Sequence, residues 1–124
     1  MALKEKKSVL IVEDDLLLAD VMANRFRLEG FDVAVAADGK DALRRIAEEH
    51  YDVMLLDLMM PLFNGLEVLD DLKKRKITTP VFVMSSLTGL KEINRAKELG
   101  AVDYFVKTAV TPDLVVKQIE KLFV

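Results

Sequence analysis

Acidic, hydroxyl and basic residues stand where short apolar runs stop. Glu13, Asp14 and Asp15 follow Val9-Leu10-Ile11-Val12, and Asp57 follows Val53-Met54-Leu55-Leu56. Ser85 and Ser86 follow Val81-Phe82-Val83-Met84, and Lys107 follows Tyr104-Phe105-Val106. Carboxylates gathered in one place repel each other unless a divalent cation or an ammonium sits among them, and a set of hard oxygen ligands favours Mg²⁺ or Mn²⁺ over zinc. Asp57 is the strongest single candidate, because a carboxylate ending a buried strand is costly without a compensating partner. Asp15 is read as the cap of a helix beginning at Leu16. Ser85 and Lys107 carry little signal alone, since serine at a strand end commonly caps or turns and lysine is commonly solvated. A shared edge gives them weight.

That edge follows from the elements. The four runs above and Val33-Ala34-Val35-Ala36 have strand length and lack clean alternation, the pattern of strands buried on both faces. Helical spacing runs from Leu16 to Leu28, Lys40 to Glu49, Leu66 to Lys74, Leu90 to Leu99 and Asp113 to Leu122. Strand and helix thus alternate through the chain, which predicts right-handed crossovers and a parallel sheet covered by helices on both faces. Ligands of such a sheet sit beyond the carboxyl ends of its strands, where strand order reverses. Gly30 and Gly100 are placed to end helices in the left-handed conformation, and Thr111-Pro112-Asp113 supplies a cap, a first-turn proline and an acid at the dipole's positive end. In the first helix the spacing assigns Leu18, Val21, Met22 and Phe26 to the core and leaves Leu16 and Leu17 exposed beside the acids. The last helix carries Val115, Ile119 and Leu122 on one stripe and Val116 and Phe123 on another, one of them core and the other a candidate homodimer or effector contact.

Composition narrows the function classes. The chain of 124 residues is expected to be one module, with nothing within it left over for an output domain, and it reads either as a stand-alone protein or as a piece excised from a longer one. Hydrophobic residues at 52% provide a core, and 18 basic against 21 acidic residues, a net charge of −3, argue against direct nucleic-acid or anionic-membrane binding. The absence of cysteine removes disulfides, thiolate metal sites and thiol nucleophiles. The basic start from Met1 to Lys7 is followed by an apolar run too short for a signal peptide, and no stretch could span a membrane, so a cytoplasmic location is expected. No glycine-rich phosphate cradle occurs; Asn64-Gly65 reads as a helix start. His50, the single histidine, closes a helical segment and receives no catalytic role. Met54, Met60 and Met84 are read as core filler.

Taken together, the acid pair in Ile11-Val12-Glu13-Asp14, the segment Leu56-Asp57-Leu58-Met59-Met60-Pro61 with Asn64-Gly65 after it, Ser85, and Tyr104-Phe105-Val106-Lys107 make the chain resemble the receiver domains of two-component response regulators, particularly stand-alone receivers of the chemotaxis kind. The resemblance implies a flavodoxin-like (βα)5 fold with strand order 2-1-3-4-5. It makes Asp57 the phosphoacceptor and Asp14 a direct Mg²⁺ ligand, with Glu13 a ligand through water and the backbone carbonyl of Met59 another. Ser85 would hydrogen-bond the phosphoryl group, Lys107 would neutralise one of its oxygens, and Tyr104 would be the aromatic switch that follows Ser85. The implied partners are a histidine kinase or histidine phosphotransfer protein and a downstream effector reached through the fourth helix, fifth strand and fifth helix. A homodimer through the last helix is a further option.

The chain departs from the family pattern at Thr108, where a proline after the lysine is usual, so a cis bond is not expected there and the loop into the last helix is expected to be looser. Asn64 replaces a common aspartate and keeps the same turn chemistry. Met59 and Leu87 stand at positions that flank the hydrolytic water in the family and cannot orient it, which predicts slow self-catalysed dephosphorylation. Two rivals remain at this stage: a phosphorylation-independent interaction module, and a small Mg²⁺-dependent phosphatase. The second needs another carboxylate two residues beyond Asp57, where Met59 stands.

Overall fold

A computed structural model describes residues 5–61 and 63–124. Residues 1–4, which begin the basic stretch weighed as a leader, and Leu62 of the loop after Asp57 lie outside the described residues. The strands are β1 (Ser8–Val12), β2 (Asp32–Ala36), β3 (Val53–Leu56), β4 (Val81–Ser85) and β5 (Asp103–Val106). The helices are α1 (Leu16–Leu28), α2 (Gly39–Glu48), α3 (Gly65–Lys74), α4 (Leu90–Glu98) and α5 (Pro112–Glu120), with short 3-10 turns at Lys107–Ala109 and Lys121–Phe123. All strand pairs are parallel, in the order β2-β1-β3-β4-β5. Fold class and strand order are those expected.

The strands are apolar on both sides because both sides are covered. Leu10, Val12, Met54, Leu56 and Val83 face a core completed by Ala42, Leu43 and Ile46 of α2, Val68, Leu69 and Leu72 of α3 and Ala96 of α4. Their neighbours Val9, Ile11, Val53, Leu55, Phe82 and Met84 face Met22, Ala23 and Phe26 of α1 and Val115, Val116 and Ile119 of α5. The period of two along each strand therefore separates two cores. Local signals fix the joints. Asp15 accepts hydrogen bonds from the N–H groups of Leu17 and Leu18, Asn64 and Glu67 form a reciprocal capping box, and Thr111 caps α5. Gly30 and Gly100 take φ of 94° and 105°.

Three expectations about helix faces change. Val21 is exposed rather than core; α1 instead turns Ala19, Met22, Ala23 and Phe26 inward, two alanines taking places given to larger residues. On α5, Val115, Val116 and Ile119 are all buried, Phe123 packs edge-on against Phe31, and Leu122 is exposed. The stripe of Val116 and Phe123 offered as a homodimer contact is thus part of the core, since a helix wedged between sheet and α1 buries more than one stripe. His50 stands two residues beyond the end of α2 at Glu48, and its imidazole lies against Asp52 Oδ1 at 3.1 Å. No described peptide bond is cis, as expected at Thr108, and Lys107–Ala109 forms a 3-10 turn.

Candidate functional site

The register of a parallel sheet brings strand ends together, and here it brings the chemistry with them. Val12 pairs with Leu56, so the next residues, Glu13 and Asp57, stand side by side; the Asp57 N–H donates to the Val12 carbonyl at 3.0 Å. Ser85 pairs with Val106, placing Lys107 one step beyond. Carboxylate oxygens of Glu13, Asp14 and Asp57 all lie within 4.8 Å of one another. Glu13 and Asp57 are buried and Asp14 is exposed at the mouth.

Lys107 bridges the buried pair and offsets their mutual repulsion. Its Nζ lies 2.8 Å from Glu13 Oε1 and 3.1 Å from Asp57 Oδ2. Burial would release its proton, but Glu13 and Asp57 outweigh that and hold its pKa above the ordinary lysine value. Burial pushes the Glu13 carboxyl up to about 7, an effect that Lys107 and the Asp15 N–H only partly offset. Backbone groups complete the ring: Asp15 N–H donates to Glu13 Oε2 and Met59 N–H to Asp57 Oδ1, both at 3.1 Å.

On the β4 side, Leu87 N–H donates to Ser85 Oγ at 3.2 Å, and Tyr104 Oη donates to the Leu87 carbonyl at 2.9 Å. Ser85 is fully buried, and Tyr104 packs partly against the core under α4. Burial raises the Tyr104 phenol above its ordinary pKa. A chain of contacts therefore runs from Ser85 through the β4–α4 loop to β5. Ser86 Oγ reaches across to Met59 Sδ at 3.1 Å.

The geometry gathers Glu13, Asp14, Asp57, Ser85 and Lys107 on one edge, with Met59 beside Asp57 and Tyr104 behind Ser85. Side-chain reasoning missed the Leu87 backbone, which bonds both Ser85 and Tyr104, and the Ser86 contact to Met59. Main-chain N–H and C=O groups are common to nearly every residue, so their roles leave no trace in residue type. A divalent cation fits this donor set: three carboxylates face one ammonium, all ligand atoms are hard oxygens, and buried Glu13 Oε1 has no aligned hydrogen bond, only the Lys107 ion contact. A carboxylate beside such a cation and an ammonium can act as a nucleophile toward phosphorus.

Residues 9–120 match the sequence family described as the response regulator receiver domain. The chain is 40% identical over 99 residues to the transcriptional regulatory protein CiaR of Streptococcus pneumoniae, covering 80% of this chain and 44% of that one. It spans less than half the length of the curated relatives it matches. Among solved structures, the Francisella response regulator 1452 receiver domain is similar at a TM-score of 0.89 and 33% identity, covering 95% of this chain and 97% of the other. The BeF3-activated N-terminal receiver domain of Klebsiella pneumoniae RstA is similar at 0.83 and 31%, covering 94% and 97%.

Proposed function

The chain belongs to the response regulator receiver domain family, and from that premise we propose that it is a phosphoacceptor switch, taking a phosphoryl group from a donor histidine onto Asp57. The observation that carries the reading is the buried Asp57 carboxylate set between two further carboxylates and the Lys107 ammonium.

Each residue has a task that its surroundings support. An oxygen of Asp57 forms the new bond to phosphorus, while the P–N bond of the donor breaks and its electron pair returns to the imidazole. Transfer of this kind depends on positioning and charge compensation rather than on a general base. Asp14, Asp57 and the Met59 carbonyl would hold Mg²⁺, or Mn²⁺, with Glu13 acting through water, and the cation would offset charge on the phosphoryl oxygens. Lys107 offsets charge from the opposite side and Ser85 Oγ donates to one phosphoryl oxygen. The acyl phosphate carries about −1.5 to −2 of charge, so Ser85 is drawn toward it and disturbs the Leu87 backbone that Tyr104 grips. The face formed by α4, β5 and α5 then reads the change to an effector. Met59 and Leu87 offer only thioether and hydrocarbon beside Asp57, which favours slow loss of the group. A cytoplasmic setting and a histidine kinase or phosphotransfer partner belong to the same proposal. No described helix is long and apolar enough to cross a membrane.

The test is the intact mass after incubation with acetyl phosphate and Mg²⁺. One phosphoryl group should be gained by the parent chain, none by Asp57→Ala, and none in the presence of chelator. Equal gain by Asp57→Ala would remove Asp57 as the acceptor.

A further inference from the structure

Met59 differs from the other described methionines. Met22, Met54, Met60 and Met84 are buried, whereas Met59 is 52% exposed. Its backbone N–H holds Asp57 Oδ1, and its sulfur accepts the Ser86 hydroxyl at 3.1 Å, so the side chain bridges the ends of β3 and β4 at the mouth of the acidic site. An open, mainly apolar hollow of about 420 Å³, lined by Leu58, Met59, Met60, Asn64, Leu66 and Leu87, lies against it. The hollow admits small solutes to the sulfur but gives water few polar partners. The chain contains neither cysteine nor tryptophan, so mild two-electron oxidation has only thioethers to act on.

We propose that Met59 is an oxidation-sensitive gate: peroxide converts it to the sulfoxide ahead of the other described methionines, and the sulfoxide hastens loss of the phosphoryl group from Asp57. The proposal rests on Asp57 being the phosphoacceptor. In the oxidation a sulfur lone pair attacks one peroxide oxygen, an S–O bond forms and the O–O bond breaks. Sulfur is oxidised by two electrons, and the second oxygen leaves as water after taking the proton of the first. The product oxygen is a far better acceptor than sulfur. Ser86, already donating to the sulfur, is placed to hold it, and the new oxygen adds a strong acceptor beside a hollow that offers water few polar partners. A water bonded there stands beside the phosphoryl group; its oxygen forms the new P–O bond, the Asp57 O–P bond breaks with its electron pair left on the carboxylate, and inorganic phosphate departs carrying both of the water's protons.

The experiment treats the whole chain with dilute hydrogen peroxide, maps added oxygen by peptide mass, then phosphorylates with acetyl phosphate and Mg²⁺ and follows loss of the group after donor removal. Oxygen should appear at Met59 before Met22, Met54, Met60 or Met84, and the acyl-phosphate lifetime should fall about tenfold, the effect of one added hydrogen bond to the attacking water. Methionine sulfoxide reductase should restore the lifetime, Met59→Leu should show the same lifetime before and after peroxide, and Met59→Gln should be short-lived without it. Oxidation of the buried methionines first, or an unchanged lifetime with Met59 fully oxidised, would overturn the gate while leaving the phosphoacceptor intact. Untreated protein that gains no phosphoryl group would overturn both.

Discussion

Lys107 is the residue on which the charge balance of the site turns. It is the ammonium that faces both Glu13 and Asp57, and its stem crosses from the end of β5 to the ends of β1 and β3. Replacing it with Met keeps much of the apolar stem and removes the charge. The two carboxylates then face each other, the Glu13 carboxyl rises further and takes a proton, and the fold persists because a proton shared between acids substitutes for the lost cation. Phosphorylation should slow by about a hundredfold, the usual effect of removing one preorganised charge partner, while thermal unfolding still shows one cooperative transition. Rates read from mass gain, beside circular dichroism melts, check both halves; a full-speed Lys107→Met would remove the lysine from the transfer. Lys107 also marks what residue types reveal. A lysine, a serine and two acids, each directly after an apolar run, point to one edge once the strands are known to be parallel. The bonds made by the Met59 and Leu87 backbones could not be read that way, nor could the exposure of Asp14 against the burial of Glu13.

Between strand and helix, the site depends on how closely α3 approaches β3. A side chain at Gly65 would place its Cβ 2.5 Å from the Asp57 carbonyl oxygen and 2.6 Å from Leu58 Cα, both backbone atoms that cannot swing aside. The Gly65 N–H also donates to the Leu58 carbonyl at 3.0 Å. Gly65→Ala should therefore destabilise the chain by about 2 kcal/mol, as overpacking does, and should also lower phosphorylation because the displaced segment carries Asp57. Gly100→Ala is the control: nothing lies within 4 Å of its added Cβ, and the cost comes from its φ of 105° alone. It should lower the stability by a comparable amount, about 1–2 kcal/mol, and leave phosphorylation unchanged. Equal loss of phosphorylation in both would mean that the defect is general unfolding. Glycine at 65 was legible as a helix start and glycine at 100 as a helix end, but the close approach was not, because it arises from how the loop after β3 folds the start of α3 back against Asp57 and Leu58, which residue type does not record. The same limit accounts for Val21 and Val116. Spacing defines an apolar stripe, whereas the width of that stripe is set by how many neighbours the helix is packed between.

Among the described residues, charges away from the acidic edge meet partners that carry no cost of burial comparable to that of Glu13. At the opposite end of the sheet Asp52 accepts from the Ser8 N–H at 2.8 Å and from its hydroxyl at 3.2 Å, and between α1 and α5 Arg25 pairs with Asp113 and Glu29. At the acidic edge Glu13 is buried with its carboxyl raised from 4.5 to about 7. Between those two values the folded chain holds a proton that the unfolded chain has released, so folding stability declines as pH rises through this window; the penalty is complete above about 7 and absent below about 4.5. Glu13→Gln removes it. In chelator at pH 8 the variant should therefore be more stable than the parent by on the order of 3 kcal/mol, and the two melting curves should converge as pH falls toward 4.5. Divalent cation acts in the other direction, because it stabilises the folded state by mass action where the ligand set is complete. Mg²⁺ at pH 8 should thus raise the parent's melting temperature more than the variant's and narrow the gap. A gap independent of pH would show that Glu13 binds its proton equally in both states, and the burial at the edge would then carry no electrostatic cost.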